Sequence, residues 1–135
     1  MKVIESRHAR FQVFHIEGEI DLHYAPALRA LFQKKIDRRC RTLVLDMTAV
    51  PFIDSTGLAV LLEYLRDAAA FGGKLYVAGL SDHVRHVFEI VRLDKALCLF
   101  PDVDAAKKAM SSDALPEVPE PLFGPERDDR LAAAA

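Results

Sequence analysis

The sequence predicts one α/β domain with a mostly parallel central sheet, an antiparallel N-terminal edge strand and helices mainly on one face. Three observations lead to this prediction. Short apolar and β-branched runs alternate with segments of helical periodicity. Residues 42–46 are mostly apolar at successive positions, as in strands buried on both faces. The 135 residues, 51% of them hydrophobic, suffice to bury a core. The predicted order of elements is ββαβαβαβα.

The first two strands are predicted to pair as a hairpin. Residues 11–16 are rich in aromatic and β-branched side chains, and residues 3–5 supply an antiparallel partner. The segment from Gly18 to Asp21 ends this pattern, and a helix follows in which Pro26 is tolerated in the first turn. The apolar face of this helix consists of Ala25, Leu28, Leu31, Phe32 and Ile36.

The rest of the domain repeats strand and helix. Residues 42–46 form a buried strand, and residues 58–71 show helical spacing until Gly72 and Gly73 end the helix. Residues 75–78 and 97–100 are the next strands, separated by a helix over residues 83–91. A last short helix over residues 102–110 begins at Asp102, a typical cap. We expect parallel central strands, because helical crossovers join them.

Residues 111–135 differ in composition from the predicted domain, residues 1–110. They contain four of the seven prolines, with six acidic and two basic side chains. Subtracting these from the chain's 20 acidic and 18 basic residues leaves 14 and 16 for residues 1–110. The segment is therefore predicted to be a flexible acidic, Pro-rich tail. Neither charge balance is typical of a nucleic-acid-binding protein, so we expect no nucleic-acid partner.

The location of the protein is predicted from what the sequence contains. No run approaches the roughly 18 apolar residues of a membrane span, and the charged, alternating N-terminus is unlike a signal peptide. Cys40 and Cys98 lie far apart in the sequence, outside any CxxC motif, as is typical of core thiols. We expect a cytoplasmic protein with no membrane association.

The tetrad from Asp54 to Gly57 stands where an apolar run meets the predicted helix over residues 58–71. One interpretation is structural, with Asp54 or Ser55 capping the helix. The other is functional: a phosphate on Ser55 is tolerated at a helix N-terminus, because free N–H groups and the helix dipole favour an anion. Such a modification would repel a docked partner without unfolding the domain. On this interpretation Gly57 lets a partner approach the backbone closely.

Other chemistry is disfavoured by the residue patterns. Thr56 separates Ser55 from Gly57, unlike the Asp-Thr/Ser-Gly of aspartic proteases, and Ile53 stands where a hydrolase elbow needs glycine. Asp46 is predicted to bind local backbone N–H groups. The pair His83 and His86 has no third metal ligand at matching spacing, and the remaining histidines, His8, His15 and His23, form no cluster in the sequence. We expect no catalytic residue, metal or cofactor.

Several motifs together resemble the STAS domain, most closely the bacterial anti-sigma-factor antagonists. The pentapeptide from Asp54 to Leu58 is similar to the family signature, and the Gly18–Asp21 segment followed by Ala25-Pro26 resembles the exit of its second strand. The turn at residues 72–75 and the apolar positions of residues 87–100 also resemble the family. The resemblance covers roughly residues 3–110.

This resemblance implies a phosphorylation-switched binding module. The unphosphorylated protein is expected to bind an anti-sigma factor with the histidine-kinase-like ATPase fold. That partner, acting as a serine kinase, would phosphorylate Ser55 and lose binding, and a PP2C-type phosphatase would restore it. Asp21 is expected near Ser55, and His23-Tyr24 is bulkier than the small residues expected in that loop. The expected partner-binding residues are Asp21, His23, Tyr24, Asp54, Thr56 and Gly57.

A second function remains open at this point. Domains that resemble this one also act as constitutive scaffolds or as subunits of transport assemblies, without phosphorylation. The two functions differ in their demands on Ser55, because only a switch needs its hydroxyl to be exposed.

Overall fold

The structure is a computed structural model that describes residues 1–111. Residues 112–135, which contain nearly all of the predicted tail, lie outside the described residues. The elements are β1 (Lys2–Arg7), β2 (Gln12–Glu17), α1 (Ala25–Asp37), β3 (Thr42–Ala49), α2 (Ser55–Ala69), β4 (Lys74–Ala78), α3 (Asp82–Ile90), α4 (Leu93–Ala96), β5 (Cys98–Phe100) and α5 (Val103–Ser111).

The five strands form one sheet in the order β1-β2-β3-β4-β5. Strands β1 and β2 pair antiparallel, with Ile4 opposite His15, and the three remaining pairs are parallel. The predicted mostly parallel sheet with an antiparallel N-terminal edge is therefore confirmed. Among residues 1–111, no helix is long and apolar enough to cross a membrane.

Helices cover the two faces of the sheet unequally. The larger core joins one sheet face to helices α1, α2, α3 and α4, and it includes Phe14, Leu45, Leu61 and Phe88. On the other face, α5 packs its Ala106 and Met110 over the smaller cluster that includes Val13, Val44 and Tyr76. Successive residues of β3 therefore face opposite cores, which explains why this strand is apolar at consecutive positions. The prediction of helices mainly on one face is confirmed.

Most element boundaries shift by one to three residues from the prediction, and two of the differences have a clear physical cause. Helix α2 begins at Ser55, three residues before the predicted start, because Asp54 caps it and its first turn needs no apolar periodicity. The short helix α4 was not predicted, since a helix of four residues is too short to show a period. It follows Arg92, whose φ of 63° turns the chain sharply.

Lys35 is buried in α1 and ties the helix to the sheet. Its ammonium group binds the side chains of Glu5 on β1 and Gln12 on β2, and it lies 5.3 Å from the ring centroid of Phe14. The hydrogen bond from Lys35 is the largest influence on Glu5 and holds the pKa of this carboxyl below its ordinary value. The edge strand β1 is thus joined to α1 by a charged contact beneath the sheet edge.

Candidate functional site

The segments that follow β2 and β3 meet at one edge of the sheet. Because the two strands are parallel neighbours, their carboxyl ends lie side by side. Ile20 and Ile53 form a parallel bridge. The N–H of Ile20 donates to the carbonyl of Phe52 at 3.0 Å, and the N–H of Asp54 donates to the carbonyl of Ile20 at 3.1 Å. The loop at Asp21 therefore lies beside the start of α2.

Asp54 is the residue that joins these two segments. Its extended backbone places it at the N-cap of α2, and its Oδ1 accepts the N–H of Gly57 at 2.9 Å. Its Oδ2 accepts the N–H of Leu22 at 2.9 Å. The first hydrogen bond satisfies a helix N–H that has no partner within the helix. The second hydrogen bond holds the loop after β2 against α2. The carboxylate of Asp54 therefore both caps the helix and positions this loop.

Asp21 shapes the loop from its other end. Its Oδ1 accepts the N–H groups of His23 at 3.0 Å and Tyr24 at 3.2 Å, an arrangement that turns the chain. Its carbonyl accepts the N–H of Ala25 at 2.8 Å and starts α1. The rings of His23 and Tyr24 meet edge to face with centroids 4.7 Å apart. The structure thus brings Asp21, His23 and Tyr24 to the sheet edge at which α2 begins.

Ser55 is exposed at the first position of α2, and Thr56 follows half-buried. The first helical hydrogen bond runs from the N–H of Leu58 to the carbonyl of Asp54. The N–H groups of Ser55 and Thr56 precede it and have no carbonyl acceptor within the helix. The helix dipole adds a partial positive charge at this end. A hydroxyl here is open to an enzyme, and an anion attached to it is compatible with the helix.

The expectation that Gly57 leaves room for an approaching partner is wrong. Gly57 is buried, and a Cβ built on it would lie 2.7 Å from the carbonyl oxygen of Ile20. The same Cβ would lie 2.8 Å from side-chain carbons of both Ile20 and Ile53. Glycine is therefore required here by packing within the domain, because the bridge between these isoleucines lies directly under the first turn of α2.

Two apolar residues beside the site were missed by the sequence analysis. Leu22 is 71% exposed in the loop held by Asp54, and Phe52 is 37% exposed two residues before Asp54. The ring of Phe52 stacks on His83 of α3, with centroids 5.7 Å apart. The signal available in the sequence was weak: a lone leucine between polar residues, and a phenylalanine beside Pro51. Exposed apolar side chains around a polar centre are typical of a protein-binding surface.

We use the name Asp54 surface for the exposed and half-buried residues at this edge. They are Asp21, Leu22, His23, Tyr24, Phe52, Asp54, Ser55 and Thr56.

A second polar cluster lies elsewhere, on the sheet face that α5 partly covers. His15 Nδ1 lies 2.8 Å from Asp46 Oδ2, and His15 Nε2 lies 3.1 Å from Ser6 Oγ. Ser6 Oγ in turn lies 3.3 Å from His8 Nε2. Strand pairing therefore brings His8 and His15 together through Ser6, although they lie seven positions apart in the sequence. Asp46 also accepts the N–H of Thr48 at 3.1 Å, as predicted.

This second cluster satisfies the hydrogen bonding of partly buried groups. Burial alone would raise the pKa of Asp46, but hydrogen bonds from Thr48 and His15 lower it overall. The hydroxyl of Ser6 lies within a strand and is shared between two histidines, so we assign the cluster a structural role. Residues 1–111 contain no group of three or more His, Cys, Asp or Glu side chains that could hold a metal ion.

Comparison with known proteins identifies the family. The profile of the STAS domain matches residues 3–106. The chain belongs to the STAS domain family. The resemblance inferred from the motifs is therefore confirmed.

Relatives of this STAS domain carry names that refer to one role. BtrV of Bordetella bronchiseptica, named as an anti-sigma factor antagonist, is 31% identical over 97 residues, which span 72% of this chain and 81% of BtrV. The anti-sigma-B factor antagonist of Staphylococcus aureus is 27% identical over 84 residues, 62% of this chain and 78% of that protein. The crystal structure of an anti-sigma factor antagonist from Mycobacterium paratuberculosis matches with a TM-score of 0.74 at 28% identity, covering 82% of this chain and 94% of that one.

Proposed function

We propose that this STAS domain is an anti-sigma factor antagonist whose binding is switched by phosphorylation of Ser55. One observation carries the proposal: Ser55 is exposed at the start of α2, and the neighbouring Asp54 bonds to Leu22 and so fixes the loop beside it. A kinase can reach the hydroxyl, and a partner that covers it must also contact the loop. The names of the relatives support an anti-sigma factor as that partner.

Charge and desolvation explain why a phosphate on Ser55 would prevent partner binding. A phosphate adds about −1.5 to −2 charges at neutral pH, next to the N-cap residue Asp54 and on a surface that also exposes Leu22 and Phe52. A partner that buries these apolar groups would have to desolvate the new charge, which is costly without a matching cation. The helix N-terminus tolerates the same charge in the free domain. Binding is lost while the fold is kept.

The partners follow from the same proposal. The anti-sigma factor has the histidine-kinase-like ATPase fold and acts as the serine kinase, and a PP2C-type phosphatase removes the phosphate. The domain acts in the cytoplasm and regulates transcription as a bacterial phosphoprotein, with no catalytic activity of its own.

The first experiment measures phosphate on Ser55. The protein is purified from its own host with and without stress, and the peptide spanning residues 53–65 is analysed by mass spectrometry. We expect phosphate on Ser55 and not on Thr56, with an occupancy that changes between conditions. A peptide that stays unmodified in every condition would favour a constitutive scaffold.

A second experiment tests binding. Tagged wild-type protein, Ser55→Ala and Ser55→Asp are used to isolate partners from the host, and the anti-sigma factor is quantified by mass spectrometry. It should co-purify with the first two proteins and be strongly depleted with Ser55→Asp. Ala70→Asp adds the same charge to an exposed residue at the other end of α2 and serves as the matched control. Equal recovery with all four proteins, at native circular dichroism, would contradict the switch.

A further inference from the structure

A groove lies at the edge of the sheet opposite the Asp54 surface. It runs between the β1–β2 turn and the end of α5, and its volume is about 370 Å³. Phe11 and Met110 supply its apolar part, and both are largely buried at its base. Ser111, the last residue of α5, also lines the groove. The chain therefore leaves the described domain from within the groove itself.

The walls of the groove carry basic side chains. His8, Arg10 and Lys107 are three of its seven lining residues, and none of these seven is acidic. The ring of His8 stacks on Phe11 with centroids 4.5 Å apart and planes 12° from parallel, and both residues line the groove. A ligand that fits would combine small apolar side chains with negative charge.

The sequence directly after Ser111 has this composition in a regular order. Leu115-Pro116-Glu117 is followed by Val118-Pro119-Glu120, so a hydrophobic–Pro–Glu unit occurs twice in succession. A polyproline II helix has three residues per turn. In that conformation the first residues of the two units would share one side, and their glutamates would share another. In that conformation the repeat would form an apolar ridge beside an acidic ridge.

We propose that residues 112–123 bind in this groove as an extended, polyproline-II-like segment. The ridge of Leu115 and Val118 would contact Phe11 and Met110, and Glu117 and Glu120 would face the basic wall. Prolines reduce the entropy lost when such a segment is ordered, and aromatic grooves are a usual binding site for it. The acidic tail of this chain is thus assigned a binding site on its own domain.

The short connection between Ser111 and Leu115 favours the chain's own tail over other ligands of the groove. Leu115 is four residues beyond Ser111, a reach of at most about 14 Å, and the groove begins at Ser111. A short tether holds a segment at an effective concentration in the millimolar range, so modest contacts suffice. The proposal is independent of the proposed function, because the groove and Ser55 lie at opposite ends of the parallel strands.

Nuclear magnetic resonance of the full-length chain tests the proposal. Amide shifts of wild type are compared with those of Glu117→Gln/Glu120→Gln and of a matched control, Glu126→Gln/Asp128→Asn. We expect the proximal pair to move the amides of residues 8–11 and 107–111, and the control pair to leave them in place. The shift difference between wild type and the proximal pair should be larger at about 20 mM salt than at about 300 mM, because salt screens the charged contact. A Leu115→Ser/Val118→Ser variant should move the same amides at both salt concentrations.

The contradicting outcomes are specific. Groove amides that do not respond to any proximal variant would overturn the proposal, as would equal responses to the proximal and distal pairs. Shifts that depend on protein concentration would also overturn it, since the groove would then hold the tail of a second copy. Lys107→Glu alone and Glu117→Lys alone should each disturb the amide shifts of the groove residues. The double variant, which exchanges the two charges, should restore them.

Discussion

Asp54 accepts a hydrogen bond from the backbone N–H of Leu22 at 2.9 Å, although 32 positions separate the two residues. The same carboxylate caps α2 through Gly57. One side chain therefore controls both where the helix starts and where the exposed loop lies. The two roles use different oxygens, so they can be separated by mutation.

Asp54→Ala should lower the free energy of unfolding by about 1–2 kcal/mol, because the cap is lost. In Asp54→Asn the amide oxygen can still cap the helix, but the NH₂ group cannot accept from Leu22. We expect the asparagine variant to keep most of the stability and to lose hydrogen-exchange protection at Leu22. Urea denaturation and amide exchange measure the two effects. Unchanged protection at Leu22 in Asp54→Asn would contradict the shared role.

Gly57→Ala should destabilise the domain by about 1–3 kcal/mol, because the added Cβ overpacks against Ile20 and Ile53. Helix propensity alone predicts the opposite sign, a gain of about 1 kcal/mol. The exposed Ala59 of the same helix provides the control, since Ala59→Gly should cost about 1 kcal/mol from propensity. Denaturation of both variants gives the comparison, and a stabilised Gly57→Ala would show that the first turn is not closely packed.

The contact of Lys35 with Glu5 should make stability dependent on acid pH. Because the pKa of Glu5 is lower in the folded protein than its ordinary 4.5, this contribution is present above pH 4.5 and is lost as pH falls through the folded value. Glu5→Gln should therefore lower stability at neutral pH and flatten the pH dependence below about pH 4.5. Urea denaturation across this range measures it. Parallel curves for wild type and variant would rule out the contribution.

Tyr64 contains a buried hydroxyl without a hydrogen-bond partner among the described residues. Burial raises the pKa of this phenol well above its ordinary value. Tyr64→Phe removes an unsatisfied polar atom and should leave stability unchanged or raise it by up to about 1 kcal/mol. Tyr64→Leu also removes the ring that packs 4.7 Å from Phe32 and should cost about 1–3 kcal/mol. A marked loss in Tyr64→Phe would reveal a partner for the hydroxyl, such as a buried water.

The sequence allowed most of the sheet and its helices to be predicted, because buried strands and amphipathic helices leave a period in the residue order. It did not reveal α4, whose four residues cannot show one. The early start of α2 was missed for a related reason, since Ser55 and Thr56 are polar residues of a first turn. Periodicity reports burial, and these segments are ordered by caps and turns.

The sequence analysis identified the polar residues of the candidate site but not its exposed apolar residues. Asp54 and Ser55 stand at a strand-to-helix junction that can be seen in the sequence. The exposure of Leu22 and Phe52 depends on two loops from neighbouring strands, and no local pattern encodes that. Gly57 was interpreted as leaving room for a partner, whereas it leaves room for Ile20. Ile20 is distant in the sequence, so no local pattern indicates this contact.

The order of strands in the sheet is also their order in the chain. A nascent chain that leaves the ribosome from its N-terminus therefore meets, for each new strand, an edge that has already been made. Every residue of the Asp54 surface precedes β4 and β5, so its loops are synthesised before the sheet is complete. The residues of this surface are therefore synthesised first, and the strands and helices from β4 to α5 are added behind them.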